Sequence, residues 1–168
     1  MEIWEIRLDK SQFGNWLKER KMFKLFFDGA SKGNPGMARG GGIIICPEGR
    51  IEVEYFWNIG FDSNNMAKAC GLWQGIKLLK EKWVEEATVF GDSWLIIQVL
   101  NGVSQSRNLR LDRLVKIIKS LSKTFWRLEF FHILRDLNDL ADLATNKSMG
   151  LSKNEISVNL LLSSAIPP

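Results

Sequence analysis

Two aspartates stand at the ends of apolar runs, and that placement makes them candidates for chemistry. Asp28 follows MFKLFF at 22–27, and Asp92 follows ATVFG at 87–91. Short dense apolar runs read as buried strands. If those strands are parallel neighbours, both carboxylates emerge at one sheet edge, where α/β proteins build their sites. A third acid, Asp142, lies four residues after Asn138 and so shares its helix face. Carboxylates crowded together repel unless cations neutralise them. Magnesium suits the task, being a hard ion that takes oxygen ligands and keeps several waters. Two such ions about 4 Å apart hold an attacking water and a leaving oxygen in line, which is the phosphodiester-cleaving arrangement. Each aspartate alone also has a plainer role: Asp92 as a helix N-cap, Asp28 as the turn residue of Asp-Gly, Asp142 as a solvated helix residue.

His132 is the only histidine and follows the apolar stretch LEFF. Alone it reads as structural. Its spacing to Asn138 and Asp142 becomes informative only within a longer pattern. A further cluster is basic. From Arg107 to Lys123, six basic residues (Arg107, Arg110, Arg113, Lys116, Lys119, Lys123) face one acid, Asp112. Arg110, Arg113, Lys116 and Lys119 recur every three residues, so on a helix they form one slowly drifting stripe. Leu111, Leu114, Ile118 and Leu121 form the core-facing stripe. The basic stripe reads either as an ordinary solvated face or as a phosphate-facing patch.

These residues sit in a chain of 168, long enough for one domain with its own core. Hydrophobic residues make up 45% and charged residues 25%, the profile of a globular domain. The net charge of +4 is too mild to prove a nucleic-acid partner. No apolar run approaches the roughly 20 residues that cross a bilayer, and the start MEIWEIRLDK lacks the basic and apolar stretches of a secretory signal. Cys46 and Cys70 lie in apolar contexts without metal spacing. They read as buried thiols, with an intracellular location in cytoplasm or nucleus expected.

The elements that must position the site follow from pattern. Residues 3–8 form a short alternating strand, and SQFGNWLKERK a connector. After the strand at 22–27, DGASKGNPGMARGGG is a turn-rich loop. GGIIIC and RIEVEYFW are strands joined by the turn PEGR. Ser63-Asn64-Asn65 opens a helix over 66–83, because Ser and Asn side chains accept orphan backbone N–H groups. Met66, Ala69, Trp73, Ile76 and Trp83 share one face of it, and Gly71 and Gly75 permit close helix–sheet approach. The strand at 87–91, a helix capped by Asp92, the basic helix, the strand WRLEFFHI and a helix over 138–149 complete the order β-β-β-α-β-α-α-β-α. The segment LSKNEISVNLLLSSAIPP has no placement. The expectation is an α/β fold: a five-stranded mixed sheet, three antiparallel strands then parallel ones, with helices on both faces.

Four ordered motifs resemble the type 1 ribonuclease H family over about residues 22–148. DGASKGNPG at 28–36 is similar to the motif carrying the first metal ligand, Asp28. Ser63-Asn64-Asn65 resembles the segment that opens the family's first helix. Gly91-Asp92-Ser93 resembles the second Asp motif. His132, Arg135, Asn138 and Ala141-Asp142 resemble the closing motif. The resemblance implies metal ligation of Mg²⁺ (or Mn²⁺) by Asp28, Asp92 and Asp142. It implies a mobile His132 in product release or proton transfer. It also implies a nucleic-acid surface, with Asn34 and Ser63 on a phosphate and Asn64 and Asn65 in the minor groove, joined by Asn138. RNA–DNA hybrids and double-stranded RNA are recognised by shape and 2′-hydroxyls, a task suited to amides and hydroxyls that need not read bases. Residues 1–21 then form an N-terminal extension or connector, 22–148 the domain and 149–168 a tail.

The pattern breaks at one place. Three residues after Asn65 the family carries a glutamate that bridges both metals, and this chain carries Lys68. An ammonium repels Mg²⁺ by about 4 kcal/mol at about 4 Å and an effective dielectric near 20. Lys68 either reaches toward Asp28 and Asp92 as their counter-ion or points to solvent while the acids hold one metal weakly. Asp62 is a remote compensating acid. The interval between Asp92 and His132 is too short for the basic handle of some members, which points to a handle-less, plant or retroelement-like group. Without the handle, affinity should rest on Arg110, Arg113 and Lys116. Trp94 either stacks on a sugar or base or joins the core. The expected function is hybrid or double-stranded RNA binding with cleavage lost or strongly reduced. The rivals are an active Mg²⁺-dependent hybrid endoribonuclease and a non-catalytic protein-interaction module.

Overall fold

The structure, a computed structural model, describes residues 3–5, 8–100, 108–146 and 151–161. Its strands are β1 (Ile3–Glu5), β2 (Phe23–Gly33), β3 (Gly36–Ile45), β4 (Ile51–Asp62), β5 (Glu86–Gly91), β6 (Arg127–His132) and β7 (Ile156–Leu160). Its helices are α1 (Lys10–Glu19), α2 (Asn64–Glu81), α3 (Trp94–Leu100), α4 (Leu109–Ser122) and α5 (Asp139–Asn146). Arg107 lies outside the described residues, as do the ends proposed for the second and final helices.

The strands form one sheet in the order β1-β6-β5-β2-β3-β4-β7. The expected five strands are its centre: β2, β3 and β4 run antiparallel, and β5 and β6 lie parallel to β2. Two strands extend it. β1 pairs with β6 in parallel, and β7 pairs with β4 antiparallel, which places part of the tail left unassigned by sequence.

Alternation along the strands splits the core into two layers. Leu25, Phe27, Val89 and Phe130 face α2, α3 and α4, while Phe26, Phe90 and Phe131 face α1 and α5. The segment expected as a connector is a helix, α1. Asp9 and Gln12 form a reciprocal capping box, and Phe13 packs edge-on to Phe26 and Phe90. The glycine-rich segment expected as a loop is a long hairpin. β2 and β3 stay paired from Lys24↔Ile45 to Gly33↔Gly36, so only Asn34 and Pro35 turn. Trp83 leaves the face assigned to it: α2 ends at Glu81, and Trp83 is 90% exposed.

Candidate functional site

β2 and β5 run parallel with Phe26 opposite Phe90, and two residues further along each strand stand Asp28 and Asp92. Both carboxylates are nearly closed off from solvent, at 2% and 7% side-chain exposure. Asp92 does not cap the following helix as expected. The neighbouring Ser93 hydroxyl takes that role by accepting from Ile96 N–H at 3.3 Å. That leaves the Asp92 carboxylate for another partner.

That partner is Lys68. Its ammonium donates to Asp28 Oδ1 at 2.8 Å and to Asp92 Oδ1 at 3.3 Å. The reach is set by how closely α2 lies on the sheet. A Cβ on Gly29 would come within 2.3 Å of the Ala67 carbonyl carbon, and one on Gly71 within 2.4 Å of the Asp28 carbonyl oxygen. Only bare Cα atoms allow this approach, which delivers the first turns of α2 to the end of β2. Tyr55 fastens the same contact from below, donating its buried hydroxyl to Gly71 O at 2.6 Å.

The electrostatics follow from burial and pairing. Burial disfavours charge on Lys68, but Asp28 and Asp92 outweigh it and hold the ammonium above its ordinary value. Burial pushes the Asp28 carboxyl up; Lys68 pulls it back only in part, and Asp92 adds to the rise. The trio carries two negative charges and one positive, all in a site of low exposure.

A pair of divalent ions does not fit this arrangement. An ammonium offers three donors and no lone pair, so Lys68 cannot be a ligand. Among the described residues no group of three or more His, Cys, Asp and Glu is gathered to hold a metal ion. Asp142, the third ligand expected beside Asp28 and Asp92, belongs to no such group. Asp142 sits half-buried in the first turn of α5. Asp62 does not compensate, because Arg110 grips it with two nitrogens at 2.8 and 3.3 Å.

Several residues expected on a nucleic-acid surface meet at one corner. Asn34 Oδ1 accepts from Asn64 N–H at 3.1 Å, while Asn64 Oδ1 accepts from Ser31 N–H at 2.7 Å. Ser63 caps α2 by accepting from Met66 N–H at 3.2 Å, and Asn65 is half-buried in the first turn. Asp62 precedes them, so its clamp brings Arg110 and the start of α4 to the same corner. Arg113 and Lys116 are exposed further along α4, and Lys116 pairs with Asp112 at 3.1 Å. Trp94 is 41% exposed and meets the His132 ring edge-on, with centroids 5.1 Å apart. His132 lies beside Gly91 in the sheet register, and so next to Asp92.

Asn138 is a correction. It is 1% exposed and donates to Phe27 O at 2.9 Å, so it braces β2 just before Asp28 instead of facing a ligand. Its fixed position follows from the short turn Arg135–Leu137, which carries it under the sheet edge. Sequence reasoning missed Ser31, Gly29 and the Asp62–Arg110 clamp. Gly29 had a signal, since it stands in a strand next to a helix already rich in glycine. Asp62 and Arg110 are too far apart in sequence to have had one.

Residues 26–148 match the Reverse transcriptase-like protein family. A protein of Arabidopsis thaliana that carries a ribonuclease H name is 32% identical over 139 residues, 82% of this chain but 22% of that protein. Ribonuclease HI of Halobacterium salinarum is 29% identical over 124 residues, 74% of this chain and 62% of the relative. The chain thus spans less than two thirds of either relative. The solved RNase H1 structure from that archaeon superposes with a TM-score of 0.73 at 28% identity, covering 76% of this chain and 96% of the other. LC11-RNase H1, solved in complex with an RNA/DNA hybrid, gives 0.67 at 28% identity, covering 75% and 98%.

Proposed function

Because this chain belongs to the ribonuclease H type 1 family, we propose that it is a member that binds RNA–DNA hybrid or double-stranded RNA and has lost efficient cleavage. The observation that carries this reading is the Lys68 ammonium lying 2.8 Å from Asp28 and 3.3 Å from Asp92. Cleavage by two-ion chemistry needs Mg²⁺ or Mn²⁺ against those carboxylates, and a positive side chain there opposes both ions. The binding surface rests on Asn34, Ser63, Asn64 and Asn65 at the hairpin–α2 corner, with Arg113 and Lys116 reaching phosphates from α4. Trp94, half-turned to solvent over His132, supplies a stacking face. We assign this surface to residues 22–148, place the chain with the handle-less, retroelement-like members, and expect it inside the cell, as its two buried free thiols suit.

The test is a cleavage assay on a labelled hybrid with Mg²⁺ and with Mn²⁺, run beside the Halobacterium salinarum enzyme. The wild-type chain should show little or no turnover. Lys68→Glu should raise cleavage by at least about tenfold, the factor one restored catalytic interaction of about 1.4 kcal/mol supplies. Turnover equal to the archaeal enzyme would establish an active Mg²⁺-dependent nuclease instead. Binding is read separately. Hybrid affinity should fall with salt, and neutralising Arg113 or Lys116 should reduce the slope by about one each. Affinity absent at low salt would leave only a protein-interaction module.

A further inference from the structure

Near the start of β2 stands a buried lysine that the acidic site does not use. Lys24 is 3% exposed. Buried charges are ordinarily paired with opposite ones, yet among the described residues no acid pairs with Lys24. Its ammonium donates instead to two backbone carbonyls, Arg20 O at 2.6 Å and Met22 O at 3.1 Å. An ammonium has three N–H donors, so one remains for the cavity that Lys24 lines. Burial above all, and then the positive charge of Arg20, holds Lys24 below its ordinary value. An anion at the third donor would offset both.

That cavity lies between α1 and the turn joining β3 to β4, and measures about 400 Å³. The volume lies within the ~300–1,000 Å³ of built ligand sites. Leu17 and Pro47 give it apolar walls, and Lys18 and Lys21 join Lys24 on its lining. Gly14 opens its helical side. Glycine inside a helix costs stability, and close packing does not require it here, because a Cβ on Gly14 would meet nothing within 4 Å. The missing side chain leaves room for something else.

Charge and depth narrow the occupant. Against the three lysines the lining carries one acid, Glu48, which leaves two positive charges in excess. A phosphomonoester carries close to two negative charges at neutral pH; a carboxylate or a phosphodiester carries one. Lysine is also an established phosphate binder, acting as a point charge. Depth points the same way. A diester inside a nucleic-acid backbone has sugars on both sides and stays at the rim, whereas a terminal phosphate can reach the buried Lys24.

We propose that the cavity between α1 and the β3–β4 turn binds a phosphomonoester, its terminal phosphate on Lys24, Lys21 and Lys18 and its organic body against Leu17 and Pro47. Lys24 stands four residues before Asp28, about 13 Å along the strand, so this cavity and the Lys68 site can be filled together. The inference is independent of the reading of Lys68.

A free mononucleotide and the phosphorylated end of a strand both offer a terminal phosphate. The probes are therefore adenosine 5′-monophosphate, with its methyl diester as control, and a DNA decamer with a 5′-phosphate, with the unphosphorylated strand as control. The readout is the amide signals of Gly14 and Gly49, both on the cavity lining, in ¹⁵N NMR, with affinity from calorimetry. A phosphorylated probe should shift both amides and bind at least about fivefold tighter than its control. A shift by the mononucleotide names the free nucleotide as the source; a shift by the phosphorylated decamer alone names the strand end. Lys24→Met should weaken the probe about tenfold or more, the worth of one charge-assisted hydrogen bond. Gly14→Leu should weaken it as much by filling the cavity, while melting no lower than the parent because leucine is the better helix former. Both variants should leave hybrid binding unchanged. No amide shift by either phosphorylated probe, a control that binds as tightly as its probe, or full affinity in both variants would overturn the proposal.

Discussion

Lys68 is a buried counter-ion whose value appears when it is removed. Breaking a buried pair leaves uncompensated charge and costs about 3–5 kcal/mol. Lys68→Met should therefore lower the stability of the domain by that order in denaturant titrations at neutral pH. The pH dependence has a definite sign. Lys68 is held above its ordinary value of 10.5. Its contribution is full below 10.5 and is lost as pH climbs through the higher folded value. Asp28 is raised above its ordinary 3.8 chiefly by burial. Its protonated form is the better tolerated, so its own contribution is greatest in acid and declines as pH rises through the folded value. The methionine variant should thus recover stability on acidification and lose the alkaline decline. A variant whose stability falls on acidification would contradict this account. The position of Lys68 was legible in sequence from the spacing after Asn65. Which of its two orientations holds was not, because that depends on how closely α2 approaches β2.

At the scale of elements, the approach of α2 depends on Gly29 as much as on Gly71. Gly29→Ala would drive a methyl into the Ala67 and Lys68 backbone at 2.3–2.4 Å. Backbone cannot swing aside, so α2 must move. The cost should be about 1–3 kcal/mol, visible in unfolding. Lys68 should also lose its hold on Asp28, visible as a shift of that carboxyl carbon in NMR. Local chemistry accounts for what sequence reading caught and missed. The PEGR turn, the Ser63 cap and the 111–121 apolar stripe of α4 were all plain, because each is decided by neighbours within one turn. The β2–β3 hairpin was hidden because its glycines read as a loop. They serve instead as the flat floor on which α2 rests, a tertiary reason. Helix α1 was hidden by Gly14, although Asp9, Gln12 and the Phe13–Trp16–Leu17 spacing mark it. Asn138 was placed on a surface because its helix register says nothing of the turn that carries it inward.

For the whole molecule, the fold class and the central sheet were readable because antiparallel runs followed by alternating helices and strands leave few topologies. Of the outermost strands, β1 was read as a strand but not as part of the sheet, and β7 was not read at all, since each is short and wins its place only by pairing. That pairing has a practical consequence. The span matched to the family, residues 26–148, contains neither β1 nor β7. A fragment trimmed to residues 22–148 would bare the backbone ladders of β4 and β6 together. Uncovered ladders are templates for other chains. Such a fragment should form higher oligomers on a sizing column at concentrations where the full chain elutes as a single species. Two brief terminal segments would then be guards against aggregation.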